Sequence, residues 1–150
     1  MPQSLLGTTQ TTQIGIIVQD VEATAQAWAA LLGVPVPAII TTDPVEVAHT
    51  EYGGQPSTAR AKLAFLPLGQ VTLELIEPLG EPSTWNDQLA AHGPSLHHIA
   101  FQVQDMKERL QALGEQGIPL LQRGEYTGGR YAYVDGTQQL GAVLELLEND

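Results

Sequence analysis

Apolar and polar positions alternate along this chain with two different periods, and the switch between them marks the elements. Ile14, Ile16 and Val18 alternate with Gln13, Gly15 and Ile17, the period of a strand with one well-packed face. Asp20 stands where a helix cap belongs. Residues 21–32 then read as a helix with Ala25, Trp28, Leu31 and Leu32 on one side, stopped by Gly33 and Pro35. Strands are predicted over 45–52, 60–66 and 70–77, with Gly53, Gly54 and Gly69 at turns. A second strand starts at His98 and runs into a helix in which Asp105 and Glu108 have capping-box spacing and Gly117 and Pro119 form the stop. Strands follow over 120–126, 130–134 and 141–147, and a short helix capped by Ser83 is predicted over 83–92. Gly128 and Gly129 read either as a hairpin turn or as an anion nest.

The second half repeats the first. QIGIIVQD at Gln13–Asp20 returns as HIAFQVQD at His98–Asp105, 85 residues later, and LELIE at Leu73–Glu77 returns as LELLE at Leu144–Glu148. We therefore expect an α+β protein with mostly antiparallel strands, one domain over 1–150. It would consist of two βαβββ modules, approximately 8–80 and 93–150, joined by the 83–92 helix.

Four polar residues stand on the second face of otherwise apolar strands: Gln13, Glu74, His98 and Glu145. The two-residue strand period separates each from its apolar neighbours. The repeat pairs Gln13 with His98, and the LELIE/LELLE echo pairs Glu74 with Glu145. If the modules sit about a pseudo-twofold axis, one amide oxygen, one imidazole and two carboxylates converge. That mixed set suits a divalent ion with open positions, Mn, Co, Ni, Zn or Mg, better than a closed structural zinc site. Taken singly, each of the four also reads as ordinary surface polarity.

Composition narrows the field. With 43% hydrophobic and 15% charged residues the chain can bury a sizeable core. Six basic against seventeen acidic residues give a net charge of −11, which repels phosphate backbones and anionic lipid, so no nucleic-acid or membrane partner is expected. The absence of cysteine excludes disulfides, thiolate ligands and cysteine nucleophiles. The polar opening through Gln13 lacks the pattern of a secretory signal, and no apolar run reaches the ~18–20 residues of a spanning helix. A cytoplasmic location is the expectation.

These motifs, with the Glu-Pro-Leu-Gly that follows Ile76 and the His-His-Ile-Ala-Phe at 97–101, resemble the vicinal oxygen chelate superfamily. That group includes glyoxalase I, methylmalonyl-CoA epimerase, extradiol dioxygenases and bleomycin-resistance proteins. The resemblance covers nearly the whole chain. It implies a curved, U-shaped mixed sheet around a metal cleft, and frequent homodimers. It also implies proton removal next to a carbonyl, with a small carbonyl compound or acyl-CoA as substrate. The wording of the sequence is most similar to the epimerases, whereas Gln13, Glu74, His98 and Glu145 match the metal set of a eukaryotic-type glyoxalase I (lactoylglutathione lyase). By that likeness Glu145 is the candidate base and Glu74 the group that returns a proton. A metal-free binding or resistance protein on the same scaffold is the competing class.

Other residues are candidates with two readings each. Lys62, on a strand that carries an acidic base in some epimerases, either pairs with an anionic substrate group or enolate or is solvated. Arg60 and Arg130 either hold a substrate anion or make ordinary salt bridges. Tyr52, Tyr131 and Tyr133 line a pocket or pack the seam between modules, Tyr133 being the candidate substrate contact. His97 has the opposite parity to His98 and reads as packing or as support for it, His92 as a helix-end histidine, and His49 as a surface strand residue.

Overall fold

The structure, a computed structural model, describes residues 3–150; the first two residues of the expected 1–150 domain lie outside the described residues. The first half contains β1 (Thr11–Ile17), α1 (Val21–Leu32), β2 (Ile40–Thr41), α2 (Val45–Ala48), β3 (Glu51–Tyr52), β4 (Gln55–Pro56), β5 (Arg60–Leu68) and β6 (Val71–Leu79). After α3 (Thr84–His92) come β7 (Ser95–Gln102), α4 (Met106–Glu115), β8 (Leu120–Tyr126), β9 (Gly129–Val134), α5 (Thr137–Leu140) and β10 (Val143–Asn149). The ten strands form one curled half-barrel sheet in the order β2-β5-β6-β1-β7-β10-β9-β8-β3-β4.

The register displays the repeat. β1 runs parallel to β6, β7 runs parallel to β10, and β1 and β7 pair antiparallel at the centre. The two halves thus meet about a pseudo-twofold axis between their first strands. Apolar residues on one face of each half pack against its helix: Val18, Leu66, Leu73 and Leu75 with Ala25 of α1, and Val103, Val134, Leu144 and Leu146 with Leu113 of α4. Burying each of these larger aliphatic side chains contributes about 1.5–3 kcal/mol. The opposite, concave face carries the polar residues.

Asp20 caps α1, its carboxylate accepting the N–H of Ala23 at 3.0 Å. Asp105 departs from expectation: it sits in left-handed backbone (φ 57°) and its side chain caps nothing. The start of α4 is instead closed by Glu148, whose carboxylate accepts the Met106 N–H at 3.1 Å, and Glu77 does the same for Val21 at 2.9 Å. The second glutamate of each LELxE repeat is therefore a helix cap supplied by a neighbouring strand. Replacing Glu77 by alanine is expected to cost about 1 kcal/mol, or roughly 2–4 °C in Tm. Thermal unfolding of Glu77→Ala checks this.

Two further expectations are corrected. The buried face of α1 is Val21, Ala25 and Ala29, whereas Leu31 is 74% exposed and Leu32 borders solvent. Alanines let the helix lie close to the sheet, and its last turn runs beyond the edge of that contact. Residues 45–52 are not one strand. They hold α2, a left-handed His49 at its end, and β3, which pairs with β8 of the other half. Since β2 and β8 lie toward opposite ends of the sheet, the stretch from Thr42 to Thr50 is a strap that crosses from one half to the other. His49 ties it down through a 2.5 Å contact with Glu125.

A candidate metal centre in the concave face

Four consecutive strands at the middle of the sheet, β6, β1, β7 and β10, carry Glu74, Gln13, His98 and Glu145 respectively. Glu74, His98 and Glu145 are buried, and each offers a ligand atom within 4.8 Å of the others. His98 Nε2 lies 3.1 Å from Glu145 Oε1 and 3.4 Å from Glu74 Oε1. These are ion-pair distances, yet none of the three atoms has an aligned hydrogen-bond partner. Buried polar atoms are normally satisfied, so three orphans aimed at one point call for a common positive partner. Metal bonds of about 2.0–2.2 Å at right angles put adjacent ligand atoms about 3 Å apart, close to the spacing here. The residues fit a divalent cation. Gln13 borders the same cavity from β1.

The close approach of the strands is built into the sequence. Gly15 pairs with His98 across β1 and β7, and a Cβ at Gly15 would overlap the His98 imidazole. Both central strands also carry a bulge immediately before the polar residue of interest, at Thr12 before Gln13 and at His97 before His98. Bulges re-aim side chains beside functional sites, and these two occupy equivalent repeat positions.

His97 is consequently buried beside His98 instead of pointing to the far face. Its Nδ1 lies 2.9 Å from His98 Nδ1 and its Nε2 lies 3.1 Å from Thr84 Oγ1. The backbone N–H of Thr84 donates to Gln122 Oε1 at 2.8 Å, and Gln122 in turn donates to the Tyr131 hydroxyl at 3.1 Å. Tyr133 is buried against both histidines, and its hydroxyl accepts the Trp85 indole N–H at 3.0 Å. It borders the cavity as a wall residue.

Electrostatics separate the two histidines. Burial, and then the neighbouring His98, bring the His97 pKa down to about 3. Burial opposes charge on His98 as well, but Glu145 and Glu74 outweigh it and push its pKa up to about 10. Glu74 is raised above the usual carboxylate range, chiefly by burial. His97 thus supplies stability that is present above pH 6.5 and lost as pH falls toward about 3. His98 supplies stability that is full below pH 6.5 and lost as pH rises through about 10. Chelator-treated protein is expected to lose stability from pH 7 to pH 10, and a bound cation to flatten that slope by replacing the proton on His98. Thermal unfolding across this range with and without Zn(II) checks it.

The cavity above these residues has a volume of about 650 Å³, with Leu63, Phe65 and Trp85 among its apolar walls and Thr42, Asp43 and Thr50 from the strap over it. Among the described residues its lining includes no lysine or arginine. Lys62 lies opposite Glu77 in register, on the face that carries α1. Arg60 shares that face and donates to the Thr42 carbonyl at 2.8 Å. Arg130 is ion-paired with Glu148 and Asp150 on the outer side of β9. The positions expected to hold a substrate anion, Arg60 and Arg130, and the expected catalytic Lys62 are therefore not in the cleft. Strand parity places them outside. Thr127 and Gly128 form the turn of the β8–β9 hairpin, Gly129 pairs with Tyr126 as the first residue of β9, and His92 does end α3.

Residues 12–134 match the family described as the Glyoxalase/Bleomycin resistance protein/Dioxygenase superfamily. The chain belongs to that superfamily. An uncharacterised protein of Bacillus subtilis, YqjC, is 37% identical over 92 residues, which span 59% of this chain and 66% of the relative. Among solved structures, a hypothetical protein from Bacillus halodurans is similar at TM-score 0.64 and 22% identity, covering 94% of each chain. Methylmalonyl-CoA epimerase from Mycobacterium tuberculosis is similar at TM-score 0.62 and 22% identity, covering 100% of this chain and 93% of that one. A Streptomyces coelicolor methylmalonyl-CoA epimerase in complex with 2-nitronate-propionyl-CoA gives TM-score 0.63 at 23% identity, over 94% and 97% of the two chains. At these identities the structural likeness shows the fold.

Proposed function

We propose that this protein is a divalent-metal-dependent enzyme that enolises a small carbonyl or thioester substrate in the manner of a methylmalonyl-CoA epimerase. The observation that carries the reading is the convergence of three buried, unpartnered ligand atoms from Glu74, His98 and Glu145 beside an apolar cavity. These residues, with the Gln13 amide oxygen, would hold the ion. When bound, the cation supplies positive charge that polarises a substrate carbonyl and stabilises the enolate. Among the described residues the cavity lining offers a substrate's oxygens no lysine or arginine, so that charge would be their positive partner.

Proton movement falls to the two carboxylates. Glu74 on β6 and Glu145 on β10 flank the central strand pair from opposite sides. Glu145 takes the carbon-bound proton. Glu74, on the opposite side of the central strands, returns a proton to the other face of the carbon, and the centre inverts. Leu63, Phe65 and Trp85 keep bulk water from the enolate. The acyl-CoA complexes formed by the epimerase neighbours support a thioester substrate.

A second reading, isomerisation of a hemithioacetal by a glyoxalase I-like enzyme, is favoured by Gln13, which completes the Gln/Glu/His/Glu set at the cavity. There the proton returns to the adjacent carbon. The test is solvent deuterium uptake into methylmalonyl-CoA by metal-loaded protein, compared with turnover of the hemithioacetal of methylglyoxal and glutathione. Exchange into the thioester supports the first reading and exclusive hemithioacetal turnover the second. Absence of both, with metal bound, contradicts the two.

A further inference from the structure

We infer that His97 is a positioning residue: its Nδ1 accepts the Nδ1–H of His98 and so turns the unprotonated Nε2 of His98 toward Glu74 and Glu145. This rests on the metal reading above and adds to it the element that fixes the ligand's tautomer.

A neutral imidazole carries one proton, on either ring nitrogen. Cation binding needs the His98 Nε2 lone pair, which leaves the proton on Nδ1. The 2.9 Å separation of the two Nδ1 atoms is then a hydrogen bond with His98 donating. Neutral His97, accepting at Nδ1, carries its own proton on Nε2 and donates it to Thr84 Oγ1, 3.1 Å away. In this assignment both His97 nitrogens and His98 Nδ1 have partners, and the His98 Nε2 lone pair is the one left for a cation. In the reverse one, the proton sits on His98 Nε2, 3.1 Å from Glu145 Oε1 and 3.4 Å from Glu74 Oε1, and leaves no lone pair there for a cation.

The backbone is arranged for this contact. In a regular strand His97 would point to the face opposite His98. The bulge at His97, with Gly15 paired to His98 and Ile16 to Leu96, removes it from the alternation and seats it edge-on against the ligand ring, at an interplanar angle of 88°. Thr84 is held in turn at the start of α3, where its N–H is bound by Gln122. Three segments distant in sequence thus fix the orientation of one imidazole. Partners of this kind raise ligand basicity and lock ring orientation, and their loss typically costs about 10–100-fold in metal affinity.

The test measures Zn(II) affinity by competition titration for the parent chain, His97→Phe, His97→Asn and Thr84→Val. Phenylalanine keeps the bulk and removes the acceptor; asparagine restores an acceptor near the Nδ1 position. We expect about 10–100-fold weaker zinc binding for His97→Phe, recovery of most of it in His97→Asn, and a smaller loss in Thr84→Val. Long-range ¹H–¹⁵N spectra of the zinc-loaded parent, which need no variant to fold, should show the protons on His98 Nδ1 and His97 Nε2. Equal zinc affinity in the parent and His97→Phe, failure of asparagine to rescue, or a proton on His97 Nδ1 would each overturn the inference while leaving the metal site standing. A parent that binds no divalent ion would overturn the metal reading and this inference with it.

Discussion

Glu145→Gln is expected to slow proton exchange at the carbon next to the substrate carbonyl by about 100- to 10,000-fold, the usual worth of a positioned general base. The amide fills the same space on β10 but cannot take a proton, and it offers a poorer ligand atom where His98 Nε2 lies 3.1 Å away. Stopped-time deuterium incorporation, with the ion at saturating concentration, separates the lost base from weakened metal binding. Exchange at the parent's rate would remove Glu145 from the reaction. Glu74→Gln should act differently in a two-base mechanism: incorporation at the carbon can persist while inversion is lost, because the returning group on β6 is missing.

The second large effect is expected at a residue with no side chain. In Gly15→Ala the new methyl would occupy the position of the His98 imidazole, and the strand pair β1–β7 cannot separate locally without losing its register. The ring must swing away from Glu74 and Glu145. Overpacking of this kind costs about 1–3 kcal/mol of stability, and a displaced ligand ring should weaken ion binding by at least the ~10–100-fold that loss of a supporting contact costs. Chemical denaturation and a zinc titration measure the two quantities separately. A variant as stable and as metal-avid as the parent would mean that His98 does not occupy the position described.

Much of this architecture is legible in the amino-acid sequence. The QIGIIVQD/HIAFQVQD and LELIE/LELLE echoes predicted the paired strands, and two-residue alternation alone separated Glu74 and Glu145 from their apolar neighbours. Alternation works there because β6 and β10 are regular. It fails at His97, where one inserted residue breaks the period, and no pattern within HHIAF marks the bulge. It also misled over 45–52, where Val45 and Val47 look like strand positions but belong to a short helix on a segment passing between distant strands. Such a crossing is set by tertiary contacts, including the hold of Glu125 on His49, and not by local propensity. The arginines lie outside the cleft for a simpler reason: cross-strand partners decide which face a side chain takes, and scarcity of basic residues says nothing about that. Arg130 lies opposite Glu148, and its guanidinium is committed there. Glu77 and Glu148 were visible as part of the repeat, but their role as caps depends on helices that follow other strands of the same half.

Equilibrium dialysis of chelator-stripped protein against Co(II), read by metal analysis and by the visible spectrum of the bound ion, tests the central claim most directly. One ion per chain is predicted for the parent, with binding lost when Glu74, His98 and Glu145 are replaced together by Gln, Phe and Gln. A folded parent that takes up no ion, or a triple variant that binds cobalt as well as the parent, would contradict the account.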